Sequence, residues 1–209
     1  MNYFPMFMNI KDREVLICGG EKHAAEKIER LMPFGAKIRV ISENISPKIE
    51  AIDGITIEKH RLLKEDLDTF PVFVVAAESE SENERIAALC KEKHIPINAV
   101  DQPKDCDFFF PSMITTEHLC VGVSTGGVSP TGAIALKNAF SEIIPDSIDE
   151  ILLWVKSVKE ALKNRLTDKN EINKILRLAM AEALKNERVL TKAELENIIA
   201  SETNPEMGL

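Results

Sequence analysis
Through the first 110 residues, short apolar runs alternate with stretches of helical period, and few architectures accept that alternation. Residues 14–20, EVLICGG, read as a strand running into glycine, and 24–32, AAEKIERLM, place Ala24, Ile28 and Leu31 on one helical face. GAKIRVIS (35–42) and ITIEKHRL (55–62) read as the second and third strands, and FPVFVVAAE (70–78) as the fourth. ENERIAALCKEKH (82–94) is a helix and IPINAVD (95–101) a fifth strand. Apolar strands separated by helices are buried on both faces of a parallel sheet, and crossovers of this length are right-handed. The expected fold class is α/β, a doubly wound parallel sheet.

After Asp107 the pattern changes. FFFPSMITTEHLCVGVST (108–125) alternates like two antiparallel strands joined at TTEH, and the loop GGVSPTG leads to a helix over 133–144. From Pro145 onward only helices are expected, over 147–166, 169–186 and 191–201, the last opened by a capping box of Thr191 and Glu194. The tail ETNPEMGL is expected to fray. This gives three regions: 1–111, a small α+β region at 112–144, and a helical domain at 145–209.

A formal charge of −8 argues against a nucleic-acid partner, which needs a basic face, and means that an anionic ligand would need local positive charge. No apolar run reaches membrane-spanning length, and the N-terminus lacks the features of a signal peptide, so no membrane partner and a cytoplasmic location are expected. Cys18, Cys90, Cys106 and Cys120 form no CxxC pair, and His23, His60, His94 and His118 show no ligand spacing. Buried free thiols and scattered histidines are expected, with no metal site.

Three stretches carry chemistry. In the dinucleotide-binding turn G-x-G-x-x-G/A the first glycine permits the turn, the second admits the pyrophosphate, and the third packs helix on sheet. Here those positions are Gly19, Glu21 and Ala24, with Gly20 between. A carboxylate held about 4–5 Å from a phosphate costs roughly 3–4 kcal/mol at an effective dielectric near 20. Glu43 ends the second strand where an acid would bind a ribose diol and prefer NAD to NADP. The alternative is a tight turn with a solvated glutamate and no nucleotide. Asp101 ends the fifth strand at the carboxyl edge, as a general base or only as a turn former before Gln102 and Pro103. The loop STGGVSP leads to a helix N-terminus, as an anion site or a dimer contact. Lys156, Lys159 and Lys163 share a helical face, as a solvated face or a basic patch.

In this order, YFPMFMNIKDREVLICGG, VAAESESENERI, NAVDQPKDCDFFFPSMI and LCVGVSTGGVSPTGAIALKNAFSEIIP resemble the sirohaem synthase family. More narrowly they resemble its precorrin-2 dehydrogenase and sirohydrochlorin ferrochelatase module. The resemblance implies a Rossmann-like NAD-binding domain at 1–111, a dimerisation region at 112–144 and helices roofing the active-site cleft. It implies oxidation of the tetrapyrrole precorrin-2 to sirohydrochlorin with NAD, in many members followed by insertion of ferrous iron as a substrate. Asp101 matches the family's essential aspartate. Gly19, Gly20, Lys22 and His23 fall on its phosphate turn, and Glu43 and Asn44 on its ribose-binding strand end. Thr125 stands where some members carry a serine that can be phosphorylated. The polycarboxylate substrate would be met by Lys104, Ser124, Thr125, Gly126 and Lys137, with the lysine face near Lys156. The family is homodimeric.

The departure is Glu21, where the family has a third consecutive glycine; Glu21→Gly is expected to tighten NAD binding at least tenfold. Three readings stay open: the NAD-dependent dehydrogenase with or without chelation, a chelatase or tetrapyrrole-binding protein with weakened or lost NAD binding, and a dimeric scaffold. No methyltransferase domain follows the helices, so a separate enzyme is expected to provide precorrin-2.

Overall fold
The computed structural model describes residues 3–203 and divides into two compact units, Met1–Phe110 and Pro111–Leu209. Of the tail expected to fray, Glu202 and Thr203 belong to the last helix, and 204–209 lie outside the described residues.

The first unit is the parallel sheet that the alternation predicts. β1 (Glu14–Cys18) is followed by α1 (Lys22–Leu31), β2 (Lys37–Ile41), the single turn α2 (Pro47–Glu50) and β3 (Thr56–Glu58). After a 3-10 turn at Glu65–Thr69 come β4 (Val74–Ala76), α3 (Glu80–Lys93) and β5 (Ile97–Ala99). The order is β3-β2-β1-β4-β5, with every pairing parallel. Both faces are covered: Val15 and Ile17 of β1 pack with Ala24, Ala25 and Ile28 of α1, and Leu16 and Cys18 with Ile86 and Cys90 of α3. The β5 edge is closed by its own chain. The Ile97 N–H donates to Asp107 Oδ2 (3.0 Å) and the Ala99 N–H to Cys106 Sγ (3.2 Å).

The third strand is shorter than 55–62 because its partner β2 ends at Ile41, opposite Glu58, and an ion cluster lies at that end. Arg39 of β2 donates from Nε and Nη2 to Glu58 (2.7 and 2.9 Å) and from Nη2 to Asp66 Oδ1 (3.0 Å). His60 Nε2 lies 3.1 Å from Glu58. The ligand atoms of Glu58, His60 and Asp66 lie within 4.8 Å of one another, a clustering that spacing along the chain did not show, but the Arg39 guanidinium already supplies their cation.

The second unit opens with β6 (Ser112–Thr115) and β7 (Cys120–Val123), antiparallel with Ser112 opposite Val123, and α4 (Pro130–Glu142) packs on both. α5 (Ile148–Lys163), α6 (Lys169–Lys185) and α7 (Lys192–Thr203) follow. They pack through Ile151, Trp154, Val158, Leu162, Ile175, Ala183 and Ile199. The capping box forms: the Glu194 N–H donates to Thr191 Oγ1 (3.3 Å), and the Thr191 N–H to Glu194 Oε2 (2.7 Å). Asp149 accepts from the Thr116 hydroxyl (2.6 Å) and the His118 N–H (2.8 Å), tying the hairpin turn to the helices. Among the described residues no helix is long and apolar enough to cross a membrane.

The Arg39 guanidinium holds the Glu58 carboxyl down at about 2, from an ordinary value near 4.5. A depressed carboxyl stabilises the fold above its ordinary value, and the contribution fades as pH falls toward 2. Arg39→Met is therefore expected to lower unfolding free energy at pH 7 by about 1–3 kcal/mol, between the values for exposed and buried pairs. Denaturant titrations at pH 7 and pH 3 check it, the variant's deficit shrinking at the lower pH.

Candidate functional site
The sheet order reverses at β1, so a crevice opens outside the carboxyl ends of β1 and β4. The turn between β1 and α1 forms its floor. Gly19 has φ +142°, and a Cβ there would meet the Ala77 carbonyl at 2.6 Å. At Gly20 a Cβ would lie 1.7 Å from the Asn44 carbonyl oxygen. Three backbone bonds hold the turn: Gly19 N–H to Ile41 O (3.1 Å), Ser46 N–H to Gly20 O (2.8 Å) and Ala77 N–H to Cys18 O (2.7 Å). Both glycines thus serve close backbone packing as well as any ligand. Ala24, the third motif position, is fully buried against the sheet.

Glu21 is the N-cap of α1 in extended conformation (φ −109°), so its backbone needs no glycine. Its side chain is exposed and lines neither cavity of the crevice. The first intrahelical bond is Ala25 N–H to Glu21 O (3.0 Å), which leaves the N–H groups of 22–24 at the helix start for an anion. Lys22 is exposed, 3.8 Å from Glu26, and His23 Nδ1 is also 3.8 Å from Glu26.

Two cavities, each of about 380 Å³, flank the switch point. One is lined by Ser42, Glu43, Asn44, Arg61, Glu78 and Glu82, with Arg61 Nη2 2.6 Å from Glu82. The other is lined by His23, Glu78, Asn83, Asp101 and Gln102, among others. The structure therefore brings Glu43 and Asn44 together on one side and His23 and Asp101 on the other. Asp101 sits in a left-handed turn (φ 60°), a conformation that aspartate tolerates better than most residues, and it is exposed.

Glu78 belongs to both cavities, and reading along the chain missed it. The signal was available: β2, β4 and β5 each run out at the carboxyl edge into an acid, Glu43, Glu78 and Asp101. Ser42 donates to Glu78 Oε1 (2.5 Å), and the Glu78 N–H donates to Asn83 Oδ1 (2.9 Å). The buried polar side chains among the described residues are Ser42, Asn83, Asn98 and Gln102. Asn98 donates to the Phe108 carbonyl (3.0 Å), fixing the chain after Asp101. Gln102 donates to the Glu80 carbonyl (3.2 Å), yet its Oε1 is buried without a hydrogen-bond partner. Gln102, whose Oε1 is buried without a partner, lines the Asp101 cavity, and the glycine turn below the first helix amides offers the donors that a dinucleotide pyrophosphate needs.

The remaining predicted residues lie elsewhere. Lys104 lines a different cavity beside α3 and pairs with Glu84 (2.8 Å). Ser124, Thr125, Gly126 and Lys137 belong to the second unit. The Thr125 hydroxyl donates to Ser129 O (2.9 Å) and accepts from Ser129 N–H (3.0 Å), so it is spent on shaping the loop before α4. Ser124 Oγ accepts from the Gly126 N–H (3.1 Å), and Lys137 is half-buried on α4. Lys156, Lys159 and Lys163 are exposed along α5. Cys18 and Cys90 are buried, and Cys106 and Cys120 half-buried, all four as free thiols. Burial pushes the Cys90 thiol up to about 12.

The family described as "Putative NAD(P)-binding" matches residues 6–112. A protein named "Siroheme synthase" from Thioalkalivibrio sulfidiphilus is 34% identical over 171 residues, 80% of this chain and 35% of its own. A protein of the same name from Neisseria meningitidis serogroup C is 30% identical over 171 residues, 78% of this chain and 36% of its own. The chain spans about a third of the length of these curated relatives. A solved structure titled "SirC, precorrin-2 dehydrogenase" superposes with a TM-score of 0.66 over 96% of this chain and 99% of its own, at 21% identity, which speaks for a shared fold.

Gly20→Ala forces a methyl group into the Asn44 carbonyl, and backbone cannot yield as a side chain would. The expected loss is at or beyond the upper end of the ~1–3 kcal/mol typical of overpacking, read as a lowered denaturant midpoint.

Proposed function
From the premise that the chain belongs to the family described as "Putative NAD(P)-binding", matched over 6–112, and from its likeness to siroheme synthases, we propose that it acts in sirohaem biosynthesis as an NAD-dependent precorrin-2 dehydrogenase. The observation that carries the reading is Asp101, set beside the switch-point crevice in one cavity with His23 and Gln102. NAD, when bound, supplies a hydride acceptor for the oxidation. The N–H groups of 22–24 hold its pyrophosphate, and Glu43 and Asn44 its ribose hydroxyls. Asp101 takes the proton that precorrin-2 loses as the hydride leaves. Once it has passed that proton to water, the same carboxylate can accept the two pyrrole N–H protons in turn, releasing each to solvent, as ferrous iron, a second substrate, enters sirohydrochlorin.

A homodimer built through the second unit belongs to this proposal. Ile134, Leu136, Phe140 and Ile143 of α4 and its end are exposed, and a two-stranded sheet has little stability alone.

Mixing protein, precorrin-2 and NAD should produce the sirohydrochlorin spectrum together with NADH, and adding ferrous ion tests chelation separately. Asp101→Asn should lower the dehydrogenase rate by about 10²–10⁴-fold with NAD affinity unchanged. An inactive wild type, or a variant that keeps its rate, would refute the reading. The exposure of Glu21 lowers the tenfold expectation: at 4–5 Å in water the repulsion is only about 1 kcal/mol. Glu21→Gly should tighten NAD about fivefold at low ionic strength, and the gain should vanish in high salt when followed by titration.

A further inference from the structure
If the dehydrogenase reading holds, a polycarboxylate substrate must approach a crevice whose strand ends carry Glu43, Glu78 and Asp101, and something nearby must offset their charge. Lys104 is engaged by Glu84 in another cavity. Arg61 lies on the Glu43 side, where it is paired with Glu82; on the Asp101 side the positive charge comes from α1. His23, Lys27 and Arg30 stand at i, i+4 and i+7, one stripe of that helix. His23 lines the Asp101 cavity. One turn on, Lys27 Nζ lies 4.5 Å from the centroid of the Phe110 ring, and Arg30 Cζ lies 5.3 Å from the same ring.

The ring is a fixed platform. Phe110 packs edge-on to the buried Phe73 (6.3 Å between centroids) and against Phe108 (5.6 Å). On the same helix Glu26 lies 3.8 Å from Lys22 and His23 and its charge also acts on Lys27 and Arg30, while Glu29 pairs with Lys48 (2.7 Å). Among the described residues Lys27 makes no ion pair within 4 Å. Its ammonium is pushed below the ordinary lysine value, first by burial and next by Arg30, against an opposite pull from Glu26 and Asp101. Two half-buried cations on one ring repel each other, and a bound anion relieves both the repulsion and the desolvation.

We propose that Lys27 and Arg30 bind a carboxylate of the tetrapyrrole substrate, making the α1 stripe the specificity-determining surface that presents the macrocycle to Asp101. Lys27 carries the contact as a charge-assisted hydrogen bond, with its stem laid along Phe110.

The full chain and two variants test this. Lys27→Met keeps the apolar stem and removes the charge, whereas Lys27→Arg keeps the charge. In NAD-dependent oxidation of precorrin-2, Lys27→Met should raise KM about tenfold with kcat and NAD affinity unchanged, and Lys27→Arg should stay within about threefold of wild type. The wild-type KM should rise with salt more steeply than that of Lys27→Met. A Lys27→Met enzyme with unaltered KM, or equal loss in both variants, would overturn the carboxylate contact while leaving the dehydrogenase in place. Should the wild type not turn over precorrin-2, the dehydrogenase reading fails, and titration with sirohydrochlorin followed by absorbance still decides the contact. Binding weakened about tenfold by Lys27→Met supports it, and no binding, or equal binding by both proteins, ends it.

Discussion
The contact between the Gly20 backbone and the Asn44 carbonyl leaves no room for even a methyl group, and the rest of the site is arranged around it. It presses the loop after β2 onto the turn after β1, with the Ser46 N–H bonded to Gly20 O. One constraint therefore positions both the helix amides of α1 and the acid at the end of β2. The same compactness sets the place of Glu21. Its extended backbone fits the N-cap without strain, and its side chain lies outside both cavities, so departure from glycine is accommodated at the rim.

Burial of polar groups follows the same edge. Ser42, Asn83, Asn98 and Gln102 sit around the carboxyl ends of the strands, while the apolar core lies between sheet and helices. Three of them meet their bonding needs within the fold: Ser42 with Glu78, Asn83 with the Glu78 N–H, and Asn98 with the Phe108 carbonyl. The fourth, Gln102, donates to the Glu80 carbonyl while its Oε1 stays buried without a partner, a local deficit of about 1–3 kcal/mol. Acids dominate this rim; Arg61 lies among them, paired with Glu82, and α1 places Lys27 and Arg30 over the Phe110 ring.

The two units differ in how they are closed. In the first, the β5 edge is satisfied by Cys106 and Asp107 and the β3 edge is held by Arg39. In the second, the hairpin turn is clamped by Asp149, but the α4 surface keeps Ile134, Leu136 and Phe140 in the open. These exposed apolar residues are the surface that the proposed homodimer would cover.

What the amino-acid sequence by itself determined was whatever repeats over a few residues. The strand and helix order, the capping box at Thr191, the glycine turn and the acids at Glu43 and Asp101 are all local patterns, and each has a local cause in periodicity, side-chain capping or turn chemistry. The early end of β3 escaped that reading because the strand stops at Glu58, opposite Ile41 where its partner β2 ends, and the extent of a neighbouring strand is not written in the local pattern. Glu78, Gln102 and the meeting of Lys27 and Arg30 over Phe110 belong wholly to tertiary structure. They come together only through strand order, the crossovers and the return of the chain after β5. Periodicity carries no information about which distant segment a side chain will face; packing of the sheet and its helices decides that.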